Sequence, residues 1–248
     1  MAFPPLSPLS PLLIVQVGTP PDVIRHPFGD LPDWYCRALK RSRDSVTVVR
    51  VFEGEALPPP DASRVAIITG SWSMVTDLHP WSEATAQWIR DAMEVQMPLF
   101  GVCYGHQLMA HALGGRVDYH ALGREVGCRT IRLLPDAGND ALLEGWPSTF
   151  PAHLTHEQSI IELPPGARVL AYSDHDEHQI VRYGPNAVST QFHPEFTPEI
   201  SAACINRSVD ALRGEGKDPE AMLRALEETH EATRLLRRFV DSFCYAPS

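Results

Sequence analysis

The chain has 248 residues, of which 44% are hydrophobic and 21% are charged, and its formal net charge is −10. This length fits one large globular domain, or one domain with a short appendage. The acidic excess and the scattered basic residues argue against a protein that binds nucleic acid through its phosphates. No segment approaches the ~20 consecutive apolar residues of a membrane span. Neither nucleic acid nor a membrane is therefore an expected partner.

The number and spacing of the cysteines indicate the redox state of the cellular compartment. The chain has five, at wide spacings: Cys36, Cys103, Cys128, Cys204 and Cys244. An odd number without any CxxC pair favours neither a disulfide framework nor a cysteine-based zinc site. A reducing compartment fits this pattern, and we expect a cytoplasmic protein.

The first half of the chain has the pattern of a parallel sheet. Residues 1–11 are rich in proline and serine and predict a disordered leader; a secretory signal is the alternative, but no Lys or Arg precedes Arg25. Runs that are apolar throughout follow at residues 12–17, 46–52, 65–69 and 98–103. Helical patterns lie at residues 31–41 and 82–95. Such strands need helices on both faces, which predicts an α/β fold with an open, mostly parallel sheet.

The second half predicts a smaller antiparallel element and a helical tail. Strand candidates joined by short connections lie at residues 126–134, 150–154, 168–172, 179–183 and 187–192. Two helices then close the chain, with Thr197 and Asp218 as their N-caps. In the second helix, one apolar stripe is expected to run from Met222 to Phe243. We predict a catalytic domain over residues 12–199 and a helical extension, residues 200–248, packed on it.

The most informative local motif surrounds Cys103. Gly101 and Gly105 lie two residues to either side, after an apolar strand and before a helical stretch. This spacing is typical of a strand–turn–helix elbow that presents a nucleophile. The N-terminus of a helix favours the thiolate of such a cysteine. A structural cysteine in a tight turn is the alternative interpretation.

A base and its orienting group follow far downstream. His193 and Glu195 are two residues apart at the end of the last strand candidate, so their side chains point the same way in extended backbone. The intervening Pro194 ends the strand. The carboxylate can then hold one ring nitrogen of the histidine while the other faces a nucleophile. Surface pairs of histidine and glutamate with this spacing are common. This pair is a candidate site because the same chain also contains the Cys103 elbow.

Residues 98–108 and 191–195 together resemble the class I, or triad-type, glutamine amidotransferase family, and the likeness extends over residues 12–199. The resemblance implies a flavodoxin-like α/β domain. It also implies that Cys103 is the nucleophile, His193 the base and acid, and Glu195 the group that orients His193. Gln107 occupies the position of the family's glutamine-binding glutamine.

The resemblance assigns three further roles. The backbone N–H groups of Ser71 and Tyr104 would form an oxyanion hole, with Gly70 beside the substrate. Many family members have Gly-Gly-Pro where this chain has Gly70-Ser71-Trp72. His156, in a segment that resembles the family's Ser-His-x-Asp loop, would help to hold the amino-acid end of the substrate. A solvated loop is the alternative for that segment.

Other polar groups are weaker candidates. Residues 174–178 are rich in His and Asp, but they lie between two strand candidates and are expected to form a solvated turn. His106 follows the elbow and is expected to point away from the sulfur. No P-loop or dinucleotide fingerprint occurs. We therefore expect neither a metal nor an organic cofactor.

These observations predict hydrolysis of the γ-amide of glutamine through a γ-glutamyl thioester, with release of glutamate and ammonia. The substrate is a small molecule, glutamine or a γ-glutamyl compound, and a separate synthase subunit is a possible partner. A free-standing γ-glutamyl peptidase is the first alternative. A catalytically silent regulatory or binding relative is the second, although the complete set of Cys103, His193 and Glu195 argues against it.

Overall fold

The computed structural model of the protein describes residues 11–244. The predicted leader therefore lies outside the described residues, apart from Pro11. The described chain forms eleven strands and eight α-helices. Within residues 11–244, no helix combines the length and the apolar character needed to cross a membrane.

The elements follow one another in mixed order. The strands are β1 (Leu12–Gln16), β2 (Thr47–Arg50), β3 (Val65–Ile68), β4 (Leu99–Val102), β5 (Arg116–Tyr119), β6 (Glu125–Leu133), β7 (Thr149–His156), β8 (Gln158–Glu162), β9 (Arg168–Tyr172), β10 (Ile180–Gly184) and β11 (Ala187–Thr190). The α-helices are α1 (Asp22–Phe28), α2 (Leu31–Leu39), α3 (Pro80–Glu94), α4 (Tyr104–Ala112), α5 (Pro198–Arg207), α6 (Val209–Gly214), α7 (Pro219–Arg224) and α8 (His230–Cys244).

The main sheet has nine strands in the order β2-β1-β3-β4-β11-β10-β9-β6-β7. The strands from β2 to β11 in this order pair in parallel. The remaining pairs are antiparallel, and β5 and β8 form a separate antiparallel pair. The predicted α/β fold, with an open sheet flanked by helices and a smaller antiparallel element, is confirmed.

β1, β3 and β4 are apolar, apart from Gln16, because helices cover both faces of the sheet. Every residue of β1, β3 and β4 is buried. Leu12 and Ile14 lie in one hydrophobic cluster with side chains of α2 and α8. Leu13 and Val15 lie in a second cluster with side chains of α3 and α4. Alternate residues of one strand thus contribute to cores on opposite faces.

The C-terminal helices differ from the prediction. Thr197 and Asp218 do cap helices, since their side chains accept hydrogen bonds from the N–H groups of Ile200 and Ala221. The single last helix expected across Met222 is wrong, because α7 ends at Arg224 and α8 begins at His230. The apolar side chains of α7 and those of α8 pack on different parts of the protein. Met222 joins a small cluster with β6 and α5, whereas α8 packs on the main core.

Candidate active site

Three of the predicted segments meet at one edge of the sheet. β3, β4 and β11 are neighbours and run parallel, so their carboxyl ends lie side by side. Gly70 follows β3, Cys103 follows β4 and His193 follows β11. The carboxyl edge of an open α/β sheet is where ligand and catalytic sites assemble. The fold thus gathers residues that are up to 123 positions apart in the chain.

Cys103 occupies a strained turn between β4 and α4. Its φ and ψ angles are 51° and −102°, a region that residues other than glycine rarely adopt. Its own N–H donates to the carbonyl of Thr190 at 2.9 Å, and the N–H of Gly105 donates to that of Thr69 at 3.1 Å. The ends of the two flanking strands therefore hold the elbow in place.

The glycines on either side of Cys103 have a steric cause. A Cβ atom at Gly101 would lie 2.6 Å from the carbonyl oxygen of Gly105. One at Gly105 would lie 2.9 Å from the carbonyl carbon of Ile68 and closer still to its oxygen. Real Cβ atoms do not approach backbone so closely, so a side chain at either position would push strand and helix apart.

His193 and Glu195 form a buried pair beside the elbow. Nδ1 of His193 donates to Oε1 of Glu195 at 2.8 Å, and both side chains are almost fully buried. Nε2 of His193 has no hydrogen-bond partner within residues 11–244, and the side chain of Cys103 lies beside the ring. One ring nitrogen is thus held by the carboxylate, and the other is free to exchange a proton.

The surroundings of His193 favour its charged form. Burial by itself disfavours the imidazolium, but the Glu195 carboxylate and the Cys103 thiolate outweigh it and raise the pKa of His193 to about 10. Phe196 stacks on the imidazole, with ring centroids 4.0 Å apart. The backbone N–H of His193 donates to the carbonyl of His153 on β7 at 2.9 Å. Ring and backbone are both fixed in place.

The predicted oxyanion hole has two free donors. Tyr104 is the first residue of α4, and Ser71 follows Gly70 after β3. Neither N–H takes part in a hydrogen bond in the described part of the chain. A Cβ atom at Gly70 would lie 3.1 Å from the His193 ring and 3.7 Å from Cβ of Cys103. Glycine there leaves room beside the sulfur.

Gln107 lies on the first turns of α4 and lines the cavity above Cys103. Its Nε2 donates to the carbonyl of Gln158 at 2.6 Å and to Oε1 of Gln191 at 3.0 Å. The side-chain amide is therefore anchored to β8 and to the residue after β11. Such anchoring fixes the orientation that Gln107 presents to the cavity.

His156 lies buried at the end of β7, and both of its ring nitrogens face acceptors. Its Nε2 donates to Oε2 of Glu125 at 3.1 Å, and its Nδ1 donates to the carbonyl of Gln158 at 2.9 Å. Burial opposes charge on the ring, but Glu125 and Asp176 together raise the pKa of His156. Both nitrogens are occupied, so His156 can act on a ligand through its charge and shape, while Glu125 fixes its position.

The structure buries part of two polar segments, one for which a solvated loop was the alternative and one that was expected to form a solvated turn. His156 ends β7 and Gln158 begins β8. The side chain of Gln158 is held by the N–H of Val75 at 3.1 Å and the hydroxyl of Thr76 at 2.5 Å. In residues 174–178, Asp176 is only 1% exposed. The expectation of a solvated turn there is wrong for Asp176, because the charge of His156 and the N–H of His178, which donates to Oδ1 at 2.8 Å, compensate the burial of its carboxylate. Within residues 11–244 no cluster of His, Cys, Asp and Glu could hold a metal ion.

A cavity of about 290 Å³ opens above the elbow. Cys103 and His193 line its floor, and residues 70–74 and 155–158 form two of its walls. Trp72, the departure from the family pattern, is part of the first wall. Three residues of the C-terminal helical region, Cys204, Arg207 and Ser208, also line it.

Sequence reasoning missed several residues of the site. Phe196 directly follows the His193–Glu195 pair, and its apolar ring at a strand end was the available signal. Glu125 and Arg207 carry no local signal, because each meets the site only through the packing of β6 or α5. His106 behaves as expected: its Nδ1 bonds to the hydroxyl of Ser189 at 2.6 Å, away from the sulfur.

Comparison with known proteins identifies relatives along most of the chain. The model of the class-I glutamine amidotransferase family matches residues 33–209. Gamma-glutamyl peptidase 5 of Arabidopsis thaliana is 29% identical over 193 residues, which cover 75% of this chain and 76% of that protein. The glutamine-hydrolyzing GMP synthase of Aquifex aeolicus is 32% identical over 108 residues, which cover 43% of this chain and 20% of the synthase.

Solved structures share the fold. A glutamine amidotransferase from Thermotoga maritima aligns with a TM-score of 0.74 at 21% identity, covering 95% of this chain and 98% of that one. A glutamine amidotransferase from Methylobacillus flagellatus aligns with a TM-score of 0.69, also at 21% identity, over 96% of this chain and 95% of that one. At these identities the likeness concerns the fold.

Proposed function

Because this chain belongs to the class I glutamine amidotransferase family, we propose that it hydrolyses a γ-glutamyl amide bond with Cys103 as the nucleophile. One observation carries the proposal: Cys103 is held at a φ of 51° on an elbow, next to a histidine whose other ring nitrogen is bonded to a buried carboxylate. A nucleophile, a base and an orienting group in this order are the parts that covalent acyl transfer requires.

The first half of the reaction forms a thioester. The Cys103 thiolate attacks the γ-carbonyl carbon, and the N–H groups of Ser71 and Tyr104 bind the oxyanion that develops. Removing one such donor typically costs on the order of 10²–10³ in rate. When the intermediate collapses, the carbon–nitrogen bond breaks and the imidazolium of His193 gives its proton to the leaving amine. Glu195 keeps the ring oriented throughout.

The second half restores the enzyme. His193, now neutral, takes a proton from water, and the hydroxide attacks the thioester carbonyl. The sulfur leaves as a thiolate beside the re-formed imidazolium, and glutamate is released. Gly70, Gln107 and His156 line the cavity and are the proposed contacts of the glutamyl group, His156 through its positive charge. Each step uses side chains or backbone of this chain and one water molecule.

The leaving amine distinguishes two substrate classes. With glutamine it is ammonia, which a separate synthase would consume; with a γ-glutamyl peptide or conjugate it is an amino acid or another amine. Alignment with gamma-glutamyl peptidase 5 runs along three quarters of both chains, whereas the GMP synthase of Aquifex aeolicus aligns over 20% of its length. The longer alignment supports γ-glutamyl peptides as substrates of this chain.

Glutamate release by the purified protein tests the proposal. We would measure kcat/KM for glutamine and for a panel of γ-glutamyl dipeptides, with Cys103→Ala beside the parent. We expect glutamate release that Cys103→Ala abolishes, and faster turnover of the dipeptides than of glutamine. A matched control is Cys128→Ala, since Cys128 is a thiol of β6 outside the catalytic cavity.

Other results would point elsewhere. Equal turnover by Cys103→Ala and the parent would remove Cys103 as the nucleophile. Negligible activity that a co-purifying protein restores would support the role of a glutaminase subunit for a synthase. Inactivity on every substrate, together with an unreactive Cys103 thiol, would support a regulatory or binding relative.

A further inference from the structure

The catalytic cavity continues beyond His193 toward the C-terminal helices. Phe196, stacked on the His193 ring, stands two residues before the start of α5 at Pro198. The same cavity is lined by Phe196 and, farther along α5, by Cys204 and Arg207. Because Phe196 packs directly on His193, this part of the lining adjoins the ring that transfers the proton. The same part of the lining has no role in the steps that act on the glutamyl group.

Arg207 differs from the other arginine that lines the cavity. Arg124 bonds to the carboxylates of Glu157 at 3.2 Å and Glu215 at 2.7 Å, so its charge is already compensated. Arg207, at the last turn of α5, forms no ion pair with any carboxylate of residues 11–244. It is therefore the cation of the cavity wall that is available to an anionic ligand.

We propose that Arg207 binds a carboxylate on the leaving group, so that the preferred substrates are γ-glutamyl peptides whose second residue carries a free carboxylate. This inference rests on the proposed γ-glutamyl hydrolysis. A guanidinium can bond to a carboxylate through two parallel N–H donors, which gives direction as well as attraction.

The chemistry of the reaction indicates the side on which the leaving group lies. The imidazolium of His193 must reach the departing nitrogen, so the group attached to that nitrogen extends from His193 toward Phe196 and α5. The proposed contacts of the glutamyl group, Gln107 and His156, belong to α4 and β7 instead. When glutamine is the substrate, the leaving ammonia has no carboxylate and gains nothing from Arg207. The leaving amino acid of a peptide substrate would contact this wall of the cavity.

A pair of substrates separates this role from others. γ-Glutamylglycine carries the leaving-group carboxylate, and γ-glutamylglycinamide is the same compound with that charge removed. For Arg207→Gln we expect kcat/KM to fall about tenfold or more on γ-glutamylglycine, the loss of a charge-assisted bond. On γ-glutamylglycinamide and on glutamine it should change less than about twofold, because neither substrate has the carboxylate that would form this bond.

The matched control is Arg224→Gln. Arg224 is likewise an exposed arginine in the last turn of a helix, α7, but it does not line the cavity. This variant should retain the parent's preference for γ-glutamylglycine. Arg207→Lys should recover part of the preference, because it restores the charge without the second parallel donor.

Each contrary result has a separate meaning. An equal loss on all three substrates would overturn the inference and assign Arg207 to the glutamyl half or to folding, which thermal unfolding would distinguish. No loss on any of them would also overturn it, as would a parent enzyme that cleaves glutamine but not γ-glutamylglycine. If Cys103→Ala cleaves all three like the parent, the proposed function fails first.

Discussion

Replacing Gly101 by alanine tests whether the packing of the elbow supports catalysis. The new Cβ atom would lie 2.6 Å from the carbonyl oxygen of Gly105 and 2.8 Å from its carbonyl carbon. To reach the 3.4 Å of ordinary contact, that oxygen must move by about 0.8 Å. Gly105 follows Tyr104, whose N–H is a proposed oxyanion donor, so the displacement moves a donor away from the reacting carbon.

The expected consequences are large for activity and moderate for stability. Overpacking of this kind costs about 1–3 kcal/mol of the free energy of unfolding. A misplacement near 1 Å can cost about 10²-fold in rate. We therefore expect Gly101→Ala to fold, to unfold at lower urea concentration, and to lose about 100-fold in kcat/KM on the best γ-glutamyl substrate. Alkylation of Cys103 by iodoacetamide gives a second readout that needs no substrate.

Gly214→Ala is the matched control. Gly214 lies in α6, and apart from its chain neighbours and the backbone of its own helix, no described atom would lie within 4 Å of its new Cβ atom. Alanine in a helix is favoured over glycine by about 0.5–1 kcal/mol, so this variant should be as stable as the parent or more so, and fully active. Parent-like kcat/KM and thiol reactivity in Gly101→Ala would refute the link between elbow packing and the nucleophile.

Two further variants probe the base and the core. Because Glu195 raises the pKa of His193, Glu195→Gln should move the alkaline limb of the pH dependence of kcat/KM to lower pH, by about 1–3 units; an unmoved limb would separate Glu195 from the base. Phe239→Ala should lower the free energy of unfolding by about 3–5 kcal/mol, since the Phe239 ring packs on Phe100 of β4 at 5.2 Å between centroids. Urea unfolding measures this loss, and a loss under 1 kcal/mol would show that α8 is only loosely docked.

The parallel half of the fold was predictable because its signals are local. β1, β3 and β4 are buried on both faces and almost entirely apolar, and Gly101 and Gly105 stand two residues before and after Cys103 in the sequence. The family resemblance, confirmed by comparison, rests on these same residues. The roles of Cys103, His193 and Glu195 remain predictions, although the structure brings the three side chains together.

The features that sequence reasoning missed depend on distant partners. β5 has one buried residue, Val117, so it presents no apolar run. Asp176 was expected to be solvated because the residues beside it in the chain are polar, whereas His156, whose charge compensates its burial, lies twenty positions earlier. The helical segment is interrupted between α7 and α8 because the apolar side chains of these two helices pack on different elements. A single apolar stripe in the sequence does not reveal that difference.

The bond between His193 and His153 also bears on self-association. β7 is the last strand of the main sheet, and an edge strand offers unpaired backbone groups to other chains. The isolated bridge between His153 and His193 occupies part of that edge with the segment that carries the proposed base. A displacement of this segment would uncover a strand edge and remove the base together, so aggregation and inactivity would share one structural cause.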